Sequence, residues 1–160
     1  MVFTDINNFK EQANDKYGHQ FGNDVLRYVA DGIKRCTRPG DVKARMGGDE
    51  FVMVFDPFGI GDPEKILEDL NQRINNHVQK NIRLHHSDKT SNVSVSLGMS
   101  ILGVDANDAD ELLYHADQAM YHAKHHKTEM MLDHHQVELN YHVYTKGTPY
   151  VAREERKGRG

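Results

Sequence analysis

The chain has 160 residues, 24 acidic and 20 basic side chains, a formal charge of −4 at neutral pH, and 38% hydrophobic residues. This length suits one domain around a single core, and the acidic balance argues against a broad nucleic-acid footprint. One cysteine, Cys36, rules out an internal disulfide, and no apolar run approaches the roughly 20 residues of a membrane span.

Met1 to Thr4 reads as a short strand that reaches Asp5 at once. Asn23 to Arg38 predicts a helix, with Val25, Leu26, Val29, Ala30, Ile33 and Cys36 on one face. Cys36 is expected to be a buried, inert thiol, and Pro39-Gly40 ends the helix. A β-hairpin follows, with Val42, Ala44 and Met46 leading in. Val52 and Val54 lie on one face of the return strand, and Phe51, Met53 and Phe55 on the other. Residues 56–61 read as loop. Asp62-Pro63-Glu64 then supplies an N-cap, a first-turn proline and an acid at the positive helix end. Ile66, Leu67, Leu70, Ile74 and Val78 form that helix's stripe, and residues 83–91 read as loop. Val93, Val95, Leu97 and Met99 alternate as a strand. Asn107 or Asp108 caps a last helix with Leu112, Leu113, Ala116, Ala119, Met120 and Ala123 inward, and Met130 to Leu132 is a short strand. No period is legible from Gln136 onward. Residues 1–135 are therefore expected to be the domain, and 136–160 a partly disordered extension. The order predicts an α+β domain with helices covering a largely antiparallel sheet.

The chemistry concentrates in the hairpin, Arg45-Met46-Gly47-Gly48-Asp49-Glu50-Phe51. Gly47-Gly48 predicts a tight two-residue turn, because glycine tolerates positive φ and lets a ligand approach the backbone. Adjacent acids at the tip suit a divalent metal and a phosphate; an exposed acidic turn is the plain alternative. Asp5, at the end of a buried strand before a turn, can likewise reach a metal while the turn's N–H groups face phosphate, or it can serve as a cap.

This hairpin resembles the signature of the GGDEF family of diguanylate cyclases, which condense two GTP molecules into cyclic di-GMP. The resemblance spans Asp5 to about Leu132. It implies a palm-like fold shared with nucleotide cyclases. Asp5-Ile6-Asn7-Asn8-Phe9-Lys10 resembles the family's Asp-Ile-Asp-x-Phe-Lys segment. By that resemblance Asp5 and the Ile6 carbonyl bind Mg2+ (or Mn2+), Asp49 is the second metal-binding acid, and Glu50 serves catalysis or the second ion. Asn8, Phe9 and Gly48 are placed against the substrate. Asn14 to Asn23 resembles Asn-Asp-x-x-Gly-His-x-x-Gly-Asp, so Asn14 and Asn23 are expected to read guanine. His19 is carried as a motif residue, with a structural role through a backbone hydrogen bond as its plain reading. Ala116 to Lys124 resembles Ala-Asp-x-Ala-Leu-Tyr-x-Ala-Lys, which assigns Lys124 to the terminal phosphates; a solvated helix-end lysine is the alternative. Arg38-Pro39-Gly40-Asp41 matches an Arg-x-x-Asp inhibitory site for cyclic di-GMP, or else an ordinary turn.

Four departures stand out. Asn7 replaces an aspartate that is not the main ligand. Asn23 replaces the guanine-reading aspartate, although Asn is also a good helix cap. Asp5 lies nine residues before Asn14 where the family has eight. That extra residue rotates a helix by about 100° unless a bulge absorbs it. Thr128 stands where a phosphate-binding arginine is usual, with Lys127 as a neighbouring point charge. The resemblance implies a homodimeric cyclase that takes GTP, with cyclic di-GMP as product and feedback inhibitor and no nucleic-acid partner. A catalytically weak regulatory module and a relaxed-specificity enzyme making cyclic GMP–AMP are the rival readings. The family's preceding Leu-Thr-x-Leu-x-Asn-Arg segment is absent, so a fragment with an upstream sensor is expected. A cytoplasmic setting is expected, with a membrane tether through that missing region left open. The 11 histidines, including His85-His86, His122, His125, His126 and His134-His135, lack zinc-site spacing and are expected on the solvated surface.

Overall fold

Val2, Thr4 and Ile6 alternate with Phe3, Asp5 and Asn7 along β1 (Val2–Asn7), and both sets are largely buried. A strand buried on both faces belongs in the middle of a sheet. The computed structural model, which describes residues 1–55, 61–125, 128–132 and 135–149, puts it there. The remaining elements are a π-helical segment (Lys10–Asp15), α1 (His19–Cys36), β2 (Val42–Gly47), β3 (Glu50–Val54), α2 (Pro63–His85), β4 (Ser94–Met99), α3 (Ala109–His125), β5 (Thr128–Leu132), β6 (His135–Leu139) and β7 (Tyr141–Val143). The main sheet runs β2-β3-β1-β4-β7, and β5-β6 form a separate pair. β1 is antiparallel to β3 and β4; only β7 joins in parallel, on β4.

The sheet separates two apolar layers. Val2, Ile6, Phe51, Met53, Val95 and Leu97 pack with α1 and α2. Phe3 and Val52 pack with Ala116 and Met120 of α3. The hairpin faces fall as the alternation predicts. Asp62 caps α2 by accepting from the Glu64 N–H. Asp108 caps α3 by accepting from the Glu111 N–H at 2.8 Å.

Several expectations are corrected. α1 begins at His19, not Asn23: Gly18, at φ +85°, breaks the chain there. Asn23 thus sits inside the helix and is not its cap. α2 continues to His85, through part of the predicted loop. The tight turn is Gly48-Asp49, because Gly47 pairs with Glu50 and a bulge falls between Arg45 and Gly47. Beyond Gln136, where no element is legible, the chain supplies most of β6 and all of β7. The fully buried Asn140 leads into β7. Its carbonyl accepts from the Leu97 N–H at 2.8 Å and from Asn71 Nδ2 at 3.0 Å. Cys36 is half-buried, and burial raises its thiol pKa, which disfavours the reactive thiolate. Among the described residues no helix is long and apolar enough to cross a membrane.

Candidate functional site

The two acidic motifs meet through strand register. Asp5 of β1 pairs across the sheet with Glu50 of β3, and Asp49 lies in the adjoining turn. The ladder between β1 and β3 stops at that pair, one residue before Ile6, while the ladder to β4 continues through Ile6 and Asn7. Gly48 adopts φ +52° at the head of the turn. Arg45 donates from Nε and Nη2 to the Gly48 carbonyl, at 2.9 and 2.5 Å.

Asp5 is not a cap. Its Oδ1 accepts from Lys124 Nζ at 2.6 Å, and its side chain is 13% exposed. Lys124, expected at phosphate, here reaches the acid from the far end of α3. Burial raises the Asp5 pKa from 3.8 to about 6; Lys124 opposes the shift, and Asp49 and Glu50 add to it. α3 reaches the sheet through Gly98 of β4, whose added β-carbon would lie 2.0 Å from the Met120 nitrogen and 2.3 Å from the Ala116 oxygen. Asn7 is fully used in the sheet: it donates to Ser94 Oγ at 3.0 Å and accepts from Ser96 Oγ at 2.7 Å.

The raised pKa gives a pH prediction. Below about pH 4 both folded and unfolded chains hold the Asp5 proton, so the shift costs nothing. As pH rises towards about 6 the unfolded chain loses its proton first, and the folded state is progressively destabilised. The melting temperature of Asp5→Asn relative to the parent should therefore rise between pH 4 and pH 7.5. A flat difference would show that the carboxyl titrates normally.

Around this centre, Asn8 takes φ +53°, and its carbonyl accepts from the Gln12 N–H at 2.8 Å. It follows β1 directly and leads into Phe9, which is half-buried against the larger core. The extra residue before Asn14 is absorbed by the π-helical segment Lys10–Asp15, since i→i+5 bonding accommodates one more residue per turn. Ala13 stays fully buried and Asn14 packs on α1. A β-carbon on Gly22 would lie 1.9 Å from Asn14 Oδ1 and 3.3 Å from Phe9 Cζ, so only glycine permits this seat. Asn23 lines an open groove of about 470 Å³ with Gln20, Leu26, Arg27, Ala30, Arg45 and Phe51, whereas Asn14 does not line it. Gln20 and Arg45 lie within the quoted motifs without an expected role of their own, and Arg27 lies outside them, its only signal being helical spacing from Asn23. The His19 side chain is exposed and makes no hydrogen bond among the described residues, which corrects its structural reading.

Arg38 and Asp41 close a turn after α1. Asp41 Oδ2 accepts from the Arg38 N–H at 2.7 Å, and the Arg38 carbonyl accepts from the Asp41 N–H at 3.1 Å. The Arg38 side chain remains exposed. Several histidines are packed rather than solvated. His77 pairs with Asp31 at 3.0 Å, and His86 with Asp24 at 3.2 Å, across the α1–α2 interface. His126, His134 and Lys127 lie outside the described residues.

Among the described residues no three His, Cys, Asp or Glu side chains converge into a ready metal cage. Asp5, Asp49 and Glu50 nevertheless fit a hard divalent cation. They offer carboxylate oxygens at one strand end, and a magnesium-like ion takes one or two carboxylates and completes its shell with water and phosphate. Burial disfavours the Asp5 charge, and such an ion would stabilise it.

The acids thus stand on the central strand and at a hairpin tip of a largely antiparallel sheet. Residues 1–130 match the family model described as "Diguanylate cyclase, GGDEF domain", and the chain belongs to that family. It is 37% identical over 124 residues to the bifunctional diguanylate cyclase/cyclic di-GMP phosphodiesterase MucR of Pseudomonas aeruginosa, covering 78% of this chain and 17% of that protein. It is 34% identical over 124 residues to diguanylate cyclase A of Treponema denticola, covering 78% and 32%. The chain thus spans less than a third of these relatives' own length. In structure it is similar to the GGDEF domain of PA1120 (YfiN or TpbB) from P. aeruginosa, with a TM-score of 0.70 and 30% identity over 90% of this chain and 80% of that one.

Proposed function

We propose that this domain synthesises cyclic di-GMP from two GTP molecules, with release of two pyrophosphates. The observation that carries the reading is the Asp5–Glu50 strand pair with Asp49 in the adjoining turn. Asp5, Asp49 and the Ile6 carbonyl would hold Mg2+ or Mn2+, which polarises the α-phosphate and lowers the pKa of the 3′-hydroxyl. Glu50 would take up that proton. Asn8, Phe9 and Gly48 supply backbone at the phosphates, and Lys124 brings a cation within reach of them. Asn23 and the groove beside it receive the base. One site holds one GTP, so two copies of the chain must face each other for each 3′-hydroxyl to attack the other's α-phosphate. Arg38 and Asp41 are the proposed contact for the inhibitory product; Arg38→Ala should abolish inhibition by cyclic di-GMP in rate assays, and unchanged inhibition would remove that assignment.

The groove lining favours a second reading of specificity. Guanine presents two donors on its reading edge and is best met by an acceptor-only carboxylate. Among the described residues the groove offers the amides of Gln20 and Asn23 and no carboxylate. Relaxed discrimination between guanine and adenine follows, with cyclic GMP–AMP as a product. Asn23→Asp should raise the preference for GTP over ATP by about tenfold or more, the worth of one charged hydrogen bond. An unchanged ratio of kcat/KM values would remove base reading from this position. The overall test is mass-resolved product analysis of the chain, dimerised by a fused coiled coil, with Mg2+ and GTP, ATP or both. Cyclic di-GMP from GTP alone supports the cyclase, a mixed dinucleotide supports relaxed specificity, and no product from a folded dimer supports the regulatory module.

A further inference from the structure

The acidic turn does not stand on packed ground. β2 is exposed along its whole length, and a β-carbon added at Gly47 or Gly48 would meet no atom within 4 Å. A Gly48-Asp49 turn entered through Gly47, beside an unpacked edge strand, has a large conformational entropy to lose. Yet the acid at its tip must hold one geometry if it is to bind an ion. What restrains the turn is Arg45. It is the last regularly paired residue of β2 before the bulge, and its Nε and Nη2 both donate to the Gly48 carbonyl, at 2.9 and 2.5 Å. That carbonyl belongs to the peptide unit joining Gly48 to Asp49, so the guanidinium fixes the plane from which the Asp49 side chain departs.

The geometry points to Arg45 as the positioning residue of the acidic turn, a fork that pre-organises Asp49 and Glu50 for a divalent cation while its other flank lines the groove beside Asn23. This rests on the reading that Asp49 holds a cation. In this role Arg45 acts through the backbone, by its two bonds to the Gly48 carbonyl. The bulge after it makes the fork possible, because an extra residue in β2 folds the turn back over the strand. A lysine cannot replace it, since an ammonium lacks the planar pair of donors.

Electrostatics and positioning predict opposite signs, which makes the role testable without turnover. If Arg45 were only a nearby positive charge, removing it would tighten cation binding. If it is the clamp, removing it weakens binding, by about 10- to 100-fold as for other residues that orient metal ligands. Mn2+ alone would be titrated into the folded chain and followed by electron paramagnetic resonance, for the parent, Arg45→Ala, Arg45→Lys and Asp49→Ala. Weaker binding in both Arg45 variants, with faster hydrogen exchange at the Asp49 and Glu50 amides, is expected. Unchanged or tighter binding in Arg45→Ala while Asp49→Ala is weakened overturns the clamp, and so does full binding by Arg45→Lys. Unchanged binding in Asp49→Ala overturns the metal reading instead.

Discussion

Asp49→Ala should reduce pyrophosphate release from GTP to background, and Glu50→Gln should lower kcat by about 10²- to 10⁴-fold, the usual loss when a proton acceptor is removed. The two effects differ in kind. Asp49 lies in the turn beside the Asp5–Glu50 strand pair, and without it Asp5 would face a divalent cation with one acid fewer. The α-phosphate and the leaving pyrophosphate carry several negative charges, so losing the cation removes the main electrostatic stabilisation of the transition state. Glu50→Gln keeps the size and one acceptor oxygen but cannot take a proton. Its loss should fall on kcat, with KM for GTP nearly unchanged. Pyrophosphate release under single-turnover conditions, on a forced dimer, separates these outcomes. Retained release in Asp49→Ala would refute its place in the chemistry, and a loss confined to KM in Glu50→Gln would make that residue a binding group.

Gly98→Val should be the most disruptive single change to the fold, with a loss of at least about 3 kcal/mol, the upper end of overpacking costs. The reason is backbone against backbone. The position of an added β-carbon lies 2.0 Å from the Met120 nitrogen and 2.6 Å from its Cα, and a helix backbone cannot rotate aside as a side chain can. Gly98 pairs with Phe3 on β1, and the neighbouring pair across β1, Phe3–Val52, packs under the same helix. Relief requires α3 to lift from the sheet, which also withdraws Lys124 from Asp5. Urea denaturation of Gly98→Ala and Gly98→Val checks this, with Val worse than Ala. A carboxyl NMR titration of Asp5 in the Ala variant reports whether the ion pair has loosened. A loss below about 1 kcal/mol for Gly98→Ala would mean that α3 accommodates the methyl by sliding.

Residues with a strong local signal were legible from the sequence. The alternation in Phe51 to Val54, the Asp62-Pro63 and Asp108 caps and the apolar stripes of the helices each express a rule that acts within a few residues. The Gly-Gly-Asp-Glu string placed the acids on a hairpin. It misplaced the turn by one residue, because the bulge after Arg45 depends on how two strands pair and not on the turn residues alone. β7 was missed because three residues carry no period; it forms where Asn71 and Leu97 capture the Asn140 backbone. The half-buried His77 and His86 were misread as surface residues because their aspartate partners lie on another helix.

The sequence by itself determined the family, the α+β class and the identity of the acids, since motif chemistry and hydrophobic period are properties of the chain. It also exposed the extra residue before Asn14. Only the tertiary structure decided how that residue is housed, in a π-helical segment that leaves Ala13 buried and Asn14 against Gly22. Only the tertiary structure placed Asn23 on the groove beside Arg45, set Lys124 on Asp5 across the α3–sheet interface, and turned Arg45 back onto the Gly48 carbonyl. These depend on register, helix seating and long-range packing, where free energy comes from pairs far apart in the chain that no local pattern encodes.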